Sequence, residues 1–197
     1  MFEMAYDLLL RNIAKHISLS AEEEIHFIST LRSKKIKKKQ LLYQEGDTHR
    51  HAVFVVEGCL RSYSVDKNGF EHILQFAPPG LWIGDMRSLI TQQPGNLNVD
   101  AVDDSEIILM LKSDLDVMYA EIPKLERFFR ILAENALASS QCRLIDNLSL
   151  TAMERYDNFR DLYPSLITCL PQKQVASYIG VTPEFLSKML SQPIQKK

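Results

Sequence analysis

The sequence predicts an α+β chain, with short antiparallel strands filling the middle and helices at both ends. Three observations lead there. Six of the seven glycines lie between Gly46 and Gly95, so the turns that glycine makes easy are concentrated in that window. Between Val53 and Leu111 the apolar residues alternate or form short runs, and after Ser113 they recur at helical spacing. Two capping boxes, Ser20 to Glu23 and Thr151 to Glu154, stand outside the glycine-rich window.

Taken in order, residues from about Ala5 to Ile17 form an amphipathic helix, and Ser20 opens a second one reaching Leu31. Five lysines follow in the six residues from Lys34 to Lys39. They read either as a nucleic-acid patch or, the favoured reading, as a solvated edge leading into the first strand, because Ile36, Leu41 and Leu42 are strand-like. Val53 to Val56 is an apolar run closed by Glu57-Gly58. Leu60 to Val65 alternates, Asp66-Lys67-Asn68-Gly69 is a hairpin turn, and Glu71 to Ala77 returns. Leu81 to Gly84, Asn98 to Val102 and Glu106 to Leu111 complete the strands, which together suit an antiparallel sandwich or barrel.

The helical end then begins. Ser113 caps a short helix to about Glu121, Pro123 starts a long one to about Leu150, and Thr151 opens another that ends before Pro164. On the long helix Leu125, Phe128, Leu132, Ala136 and Ser139 share one face, and Phe129, Leu137, Leu144 and Leu148 another. Two apolar faces suit either a homodimer seam over 123–150, the favoured reading, or a helix packed between two domains of one chain. Asn135, Arg143 and Asp146 interrupt the seam.

Composition narrows the class. The chain has 197 residues, 46% hydrophobic and 24% charged, with a formal net charge of -2, which suits a globular protein and excludes a disordered one. No run approaches the ~20 apolar residues of a membrane span. Glu3 and Asp7 spoil a signal-peptide layout, and Cys59, Cys142 and Cys169 are too scattered for disulfides or a metal knuckle. Reduced thiols in a cytoplasm are expected. His49 and His51 read as a solvated loop pair, so no metal site is expected. Neither a GxSxG elbow nor a phosphate-cradling GxxxxGK or GxGxxG is present, and Asp103-Asp104 reads as a solvated turn. An enzyme is therefore not expected.

The strongest pattern runs from Gln172 to Leu190. Val175, Ala176 and Ile179 make the apolar face of a short helix, and Gly180 turns the chain. Val181 plugs the gap, Thr182 caps a second helix, and Pro183 occupies its first position. Phe185, Leu186, Met189 and Leu190 are expected to face inward. This is a helix-turn-helix pattern. Thr182, Pro183, Glu184, Ser187 and Lys188 would face outward to meet base edges, and Gln172 and Lys173 suit phosphate contacts. The bland alternative is an ordinary helical hairpin. Charge agrees with the first reading: residues before Pro164 sum to -5 and those from Pro164 onward to +3, so a basic head follows an acidic body.

At this point the chain resembles the Crp/Fnr family of bacterial transcription regulators over nearly its whole length. The resemblance rests on Tyr43-Gln44-Glu45-Gly46-Asp47, Val56-Glu57-Gly58-Cys59-Leu60-Arg61, Trp82-Ile83-Gly84-Asp85, Ile122-Pro123-Lys124-Leu125-Glu126-Arg127-Phe128-Phe129 and Pro171 to Ser187. It implies a sensor domain over 1–121 folded as a double-stranded β-helix, or jelly roll, of the cyclic-nucleotide-binding type. It also implies a dimerisation helix over 122–150 and a helix-turn-helix DNA-binding domain over 151–197. The implied partners are double-stranded DNA, a second copy of the chain, RNA polymerase and a small-molecule effector of unknown identity, held near Gly84, Asp85, Arg87 and Asn96.

Two departures from the family pattern matter. Gly84-Asp85 replaces the family's Gly-Glu, and Gly95-Asn96 stands where an Arg-Ser pair neutralises the cyclic phosphate. No cofactor is therefore expected, and a cyclic nucleotide is disfavoured. The cysteine cluster of the family's iron-sulfur sensors has no counterpart before Cys59. The second departure is that only Ser191 to Lys197, interrupted by Pro193, follow the second helix, so a truncated winged helix is expected. A ligand-binding module acting through a protein partner, without reading DNA sequence, is the alternative function.

Overall fold

The computed structural model describes residues 2–191, with side chains from Tyr6 onward. The expectation of a truncated wing, with Pro193, Lys196 and Lys197, falls outside the described residues. The chain divides into two compact units. One comprises the residues up to Val65 together with Leu74–Glu134, and the other comprises Asp66–Ile73 and the chain from Asn135.

The first unit opens with helices α1 (Phe2–Ala14) and α2 (Ala21–Ser29). The Ser20 capping box is formed in full: Ser20 Oγ accepts from Glu23 N, and the Glu23 carboxylate accepts from Ser20 N. Among the described residues eight strands follow: β1 (Leu31–Ile36), β2 (Leu41–Tyr43), β3 (His51–Glu57), β4 (Leu60–Val65), β5 (Glu71–Ala77), β6 (Trp82–Ile83), β7 (Asn98–Ala101) and β8 (Ser105–Leu111). They make two four-stranded sheets, ordered β1-β8-β3-β6 and β2-β7-β4-β5. Every pairing with a resolved register is antiparallel. Helices α3 (Met86–Thr91) and α4 (Lys112–Glu121) are inserted before β7 and after β8. The expected Ser113 cap is not made: Leu111 is the N-cap and supplies no side-chain hydrogen bond.

Strand β3 explains its own apolar run. It lies between β8 and β6, and both its faces are covered. Val53 and Val55 join Ile36, Leu60, Ala77, Ile83, Val99, Ala101 and Ile107 in one cluster. Ala52 and Phe54 point the other way, into a cluster with Leu9, Ile13, Phe27, Ile108, Met118, Leu125 and Phe128. Burial on both faces removes the alternation that a half-exposed strand shows. At its edge position β1 carries Lys34 and Lys35, with Lys37 to Lys39 just beyond, and these lysines are largely matched. Lys37 bonds Asp104 and Lys38 bonds Asp103, each at 2.8 Å, and Lys35 lies 3.9 Å from Glu106. The lysine run is thus an edge device, and Asp103-Asp104 is its counter-charge rather than a freely solvated turn.

Helix α5 (Lys124–Ser149) begins in the first unit and continues in the second. Leu125 and Phe128 are fully buried, so the first predicted face is covered at its start. Ala136 and Ser139 on the same face are exposed. On the second face Leu137, Leu144 and Leu148 are exposed, and so is Ile145.

The second unit contains α6 (Ala152–Leu162), α7 (Gln172–Ile179) and α8 (Pro183–Ser191), with the tip of the β4–β5 hairpin. The Thr151 box caps α6 as expected. Phe159 is its buried anchor, with ring centroids 5.3 Å from Tyr163 and 5.0 Å from Tyr178. Arg143, which breaks the seam pattern in the sequence, is used here. Its guanidinium donates to the carbonyls of Ile73 and Tyr178 and sits 4.0 Å over the Tyr178 ring. Ser177 Oγ accepts from Ile73 N and donates to Glu71 O, tying α7 to the hairpin tip.

Candidate functional site

Two constellations gather the candidate site residues, one in each unit. In the first unit, β6 leads through Gly84 to Asp85, the N-cap of α3. Asp85 is buried. Its Oδ1 accepts from Ser88 N at 3.0 Å and its Oδ2 from Asn96 N at 2.9 Å. Its own N–H donates to His49 Nδ1 at 3.1 Å, which places the imidazole proton on Nε2. Ser88 Oγ accepts from His49 N and donates to Gln93 O. The Tyr43 ring stacks on His49 with centroids 4.0 Å apart.

This network sets the charges. Burial raises the Asp85 carboxyl, but the Ser88 and Asn96 amides and nearby His49 outweigh it, so the group ends below the usual carboxylate range. Burial pulls His49 down. The expected solvated His-x-His loop is corrected here. His49 is 1% exposed, and His51 opens β3 with Nδ1 2.9 Å from the Tyr43 hydroxyl. No group of three or more metal-ligating side chains occurs among the described residues.

The structure therefore gathers Gly84, Asp85 and Asn96 around the start of α3 and leaves Arg87 outside. Arg87 is exposed and donates to Pro94 O at 3.4 Å. The amides an anion would need already serve Asp85. Gly95, about where the family motif is expected to carry its arginine, is crowded: a Cβ there would lie 2.9 Å from Asp85 Oδ2 and 3.2 Å from His49. The buried arginine of the neighbouring sheet, Arg61, is engaged with Asp100 through Nε at 2.8 Å and Nη2 at 2.9 Å. His49 and Ser88 escape sequence reasoning. Nothing in a polar residue's identity marks it as buried, and the one available signal is His49's closeness to the Tyr43 to Asp47 motif.

The second constellation is the α7–α8 pair. Gly180 closes α7 in the left-handed conformation, φ +73, and the Val181 N–H returns to Ala176 O at 3.0 Å. Thr182 Oγ accepts from Phe185 N at 3.2 Å and caps α8. Val175, Ala176, Ile179 and Leu186 are buried, Ala176 and Leu186 completely, so the crossing of the two helices is fixed by small and branched side chains. Gln172, Lys173, Thr182, Glu184, Ser187 and Lys188 are exposed, and Pro183 is half-buried. One expectation fails: Phe185 does not face inward. Phe185 is 52% exposed, because Leu186 takes the inward line and leaves its neighbour outside; Leu190, one turn beyond Leu186, is mostly covered.

Comparison with known proteins follows these features. Residues 33–121 match the cyclic nucleotide-binding domain family. Regulatory protein HlyX of Actinobacillus pleuropneumoniae is 24% identical over 170 residues, which is 81% of this chain and 70% of that protein. FixK2 from Bradyrhizobium japonicum superposes with a TM-score of 0.70 at 22% identity, covering 82% of this chain and 83% of that one. A putative transcriptional regulator of the Crp/Fnr family from Eubacterium rectale gives 0.70 at 13% identity, covering 87% and 82%. At these identities the solved structures establish the shared fold.

Proposed function

We propose that this chain, a member of the Crp/Fnr family, is a dimeric DNA-binding transcription regulator rather than an enzyme. The observation that carries the reading is the capped α7–Gly180–α8 pair. Its buried Ala176 and Leu186 hold the second helix with Glu184, Ser187 and Lys188 outward. A helix presented in this way enters the major groove with its first turns against base edges. Gln172 and Lys173 stand at the start of α7, where phosphate contacts orient such a module.

A second copy of the chain is the natural cover for α5. Leu137, Leu144, Ile145 and Leu148 are each 59% exposed or more, and burying a leucine-sized side chain contributes ~1.5–3 kcal/mol. Ala133, Ala136, Ser139 and Ser140 are small enough for close approach of a partner helix. Dimerisation pairs two reading helices, so the expected operator has two-fold symmetry.

The effector loop is proposed not to take a cyclic phosphate. Asp85 supports this reading by occupying the amides, and Gly95 by leaving little space for an arginine; the residues present do not fit that group. On this reading the loop takes a ligand of another chemical class or none. Among the described residues no helix is long and apolar enough to cross a membrane, and a cytoplasmic protein acting through RNA polymerase at promoters is the setting we propose.

The test is a gel-shift series with genomic fragments at several salt concentrations. Sequence-dependent binding that weakens with salt is expected, and Lys188→Ala should reduce it. If no fragment is preferred at any salt concentration, the DNA reading is wrong.

A further inference from the structure

Phe185 is a large apolar side chain that the packing of the second unit leaves half in water, at 52% exposure. Its position is tightly set. Its N–H is held by Thr182 Oγ in the first turn of α8, and Leu186 beside it is fully buried, which fixes the rotation of the helix. At about 100° per residue, Phe185 lies one step from the inward line, on the same outward arc as Glu184 and Lys188. That arc, in the first turns of a reading helix, is the part that meets base edges. Hydrogen-bonding edges suit Glu184, Ser187 and Lys188, and a phenyl ring has no such use. In the major groove the apolar group on offer is the thymine C5-methyl, and Phe is one of the side chains that contacts it.

We propose that Phe185 is a specificity-determining residue whose ring packs on a thymine methyl in each half-site. The inference rests on the DNA-reading function proposed above and names part of the sequence that it reads. A protein partner covering the ring is the competing outcome of the test.

The experiment uses the full chain. A randomised duplex pool first yields the bound site. Each thymine in that site is then exchanged singly for deoxyuridine, which lacks only the methyl group. Wild-type affinity is expected to fall about fourfold at one thymine per half-site, the equivalent of roughly 0.8 kcal/mol for one buried carbon. Phe185→Ala is expected to bind the thymine site about fourfold more weakly per half-site and to ignore the exchange, and Phe185→Leu to keep part of the discrimination. Both variants alter an exposed side chain, and circular dichroism checks that they fold. The inference is overturned if no single exchange weakens the wild type, or if Phe185→Ala retains the deoxyuridine penalty; either result leaves the ring to a protein partner. A pool that yields no preferred sequence overturns the DNA-reading function itself, a failure visible before any deoxyuridine duplex is made.

Discussion

Replacing Asp85 by asparagine tests whether the carboxylate holds the α3 loop together. The exchange keeps the size of the side chain and one acceptor. That acceptor can still take Ser88 N, now without charge, but the new NH2 group faces the Asn96 N–H that Oδ2 accepts in the native chain. Asn caps a helix about as well as Asp, but a hydrogen bond to a neutral amide is about 1 kcal/mol weaker than one to a carboxylate, and setting two donors against each other adds roughly 1–2 kcal/mol. The total of about 2–3 kcal/mol should lower the urea midpoint by about 1 M, taking a slope of ~2–3 kcal/mol/M. The pH dependence follows from the lowered folded pKa. The native carboxylate stabilises the fold above its ordinary value of 3.8, and the contribution is lost as pH falls through the lower folded value. The gap between native chain and variant should therefore be full at pH 7 and narrow progressively as pH falls below the ordinary value of 3.8. Urea unfolding at a series of pH values measures both. A variant within ~0.5 kcal/mol of the native chain at pH 7, or a gap that acid does not narrow, would refute the reasoning.

Three further outcomes are expected. Gly180→Ala keeps open space around the new methyl but forces alanine to φ +73, so it should destabilise the second unit by about 1 kcal/mol, read by thermal melting of tyrosine circular dichroism. Arg61→Ala strands Asp100 in a buried site where the pair's side chains are 9% and 10% exposed; a loss of about 3–5 kcal/mol is expected, and adding Asp100→Leu should recover much of it. Leu144→Glu places a charge on the exposed stripe of α5; losing two leucine contacts per dimer should weaken self-association at least ~100-fold, seen as monomer by sedimentation velocity.

The strands after β1 and both capping boxes are readable in the sequence because local chemistry determines them; the second helix, expected to reach Leu31, stops at Ser29, and Leu31 opens β1, whose lysines masked it. Asp66 to Gly69 turns the hairpin, and Glu71 to Ala77 is the return strand to the residue. The α7–Gly180–α8 pair is legible for the same reason, since a left-handed glycine followed by a capping threonine is a short-range signal. What escapes is decided by long-range packing. His49 is buried by Tyr43 and Asp85, and no pattern around His49 announces it. Phe185 is misplaced because apolar identity gives a preference for burial and says nothing about which of two adjacent apolar residues takes the inward line. Arg143 reads as a flaw in a dimer seam until its two carbonyl acceptors are seen.

The lysines in and just beyond β1 also bear on how the chain is made. Leu31 pairs with Met110 and Ile36 with Ser105, so the strand waits for about 70–80 residues before its partner exists. At ~5–20 residues per second of synthesis, that delay is several seconds. During that interval the strand is an unpaired template open to the wrong neighbour, and closely spaced lysines make it a poor one. When β8 arrives it brings Glu106, just after Asp103 and Asp104, so the charges that keep nascent chains apart become the ones that fasten the finished edge.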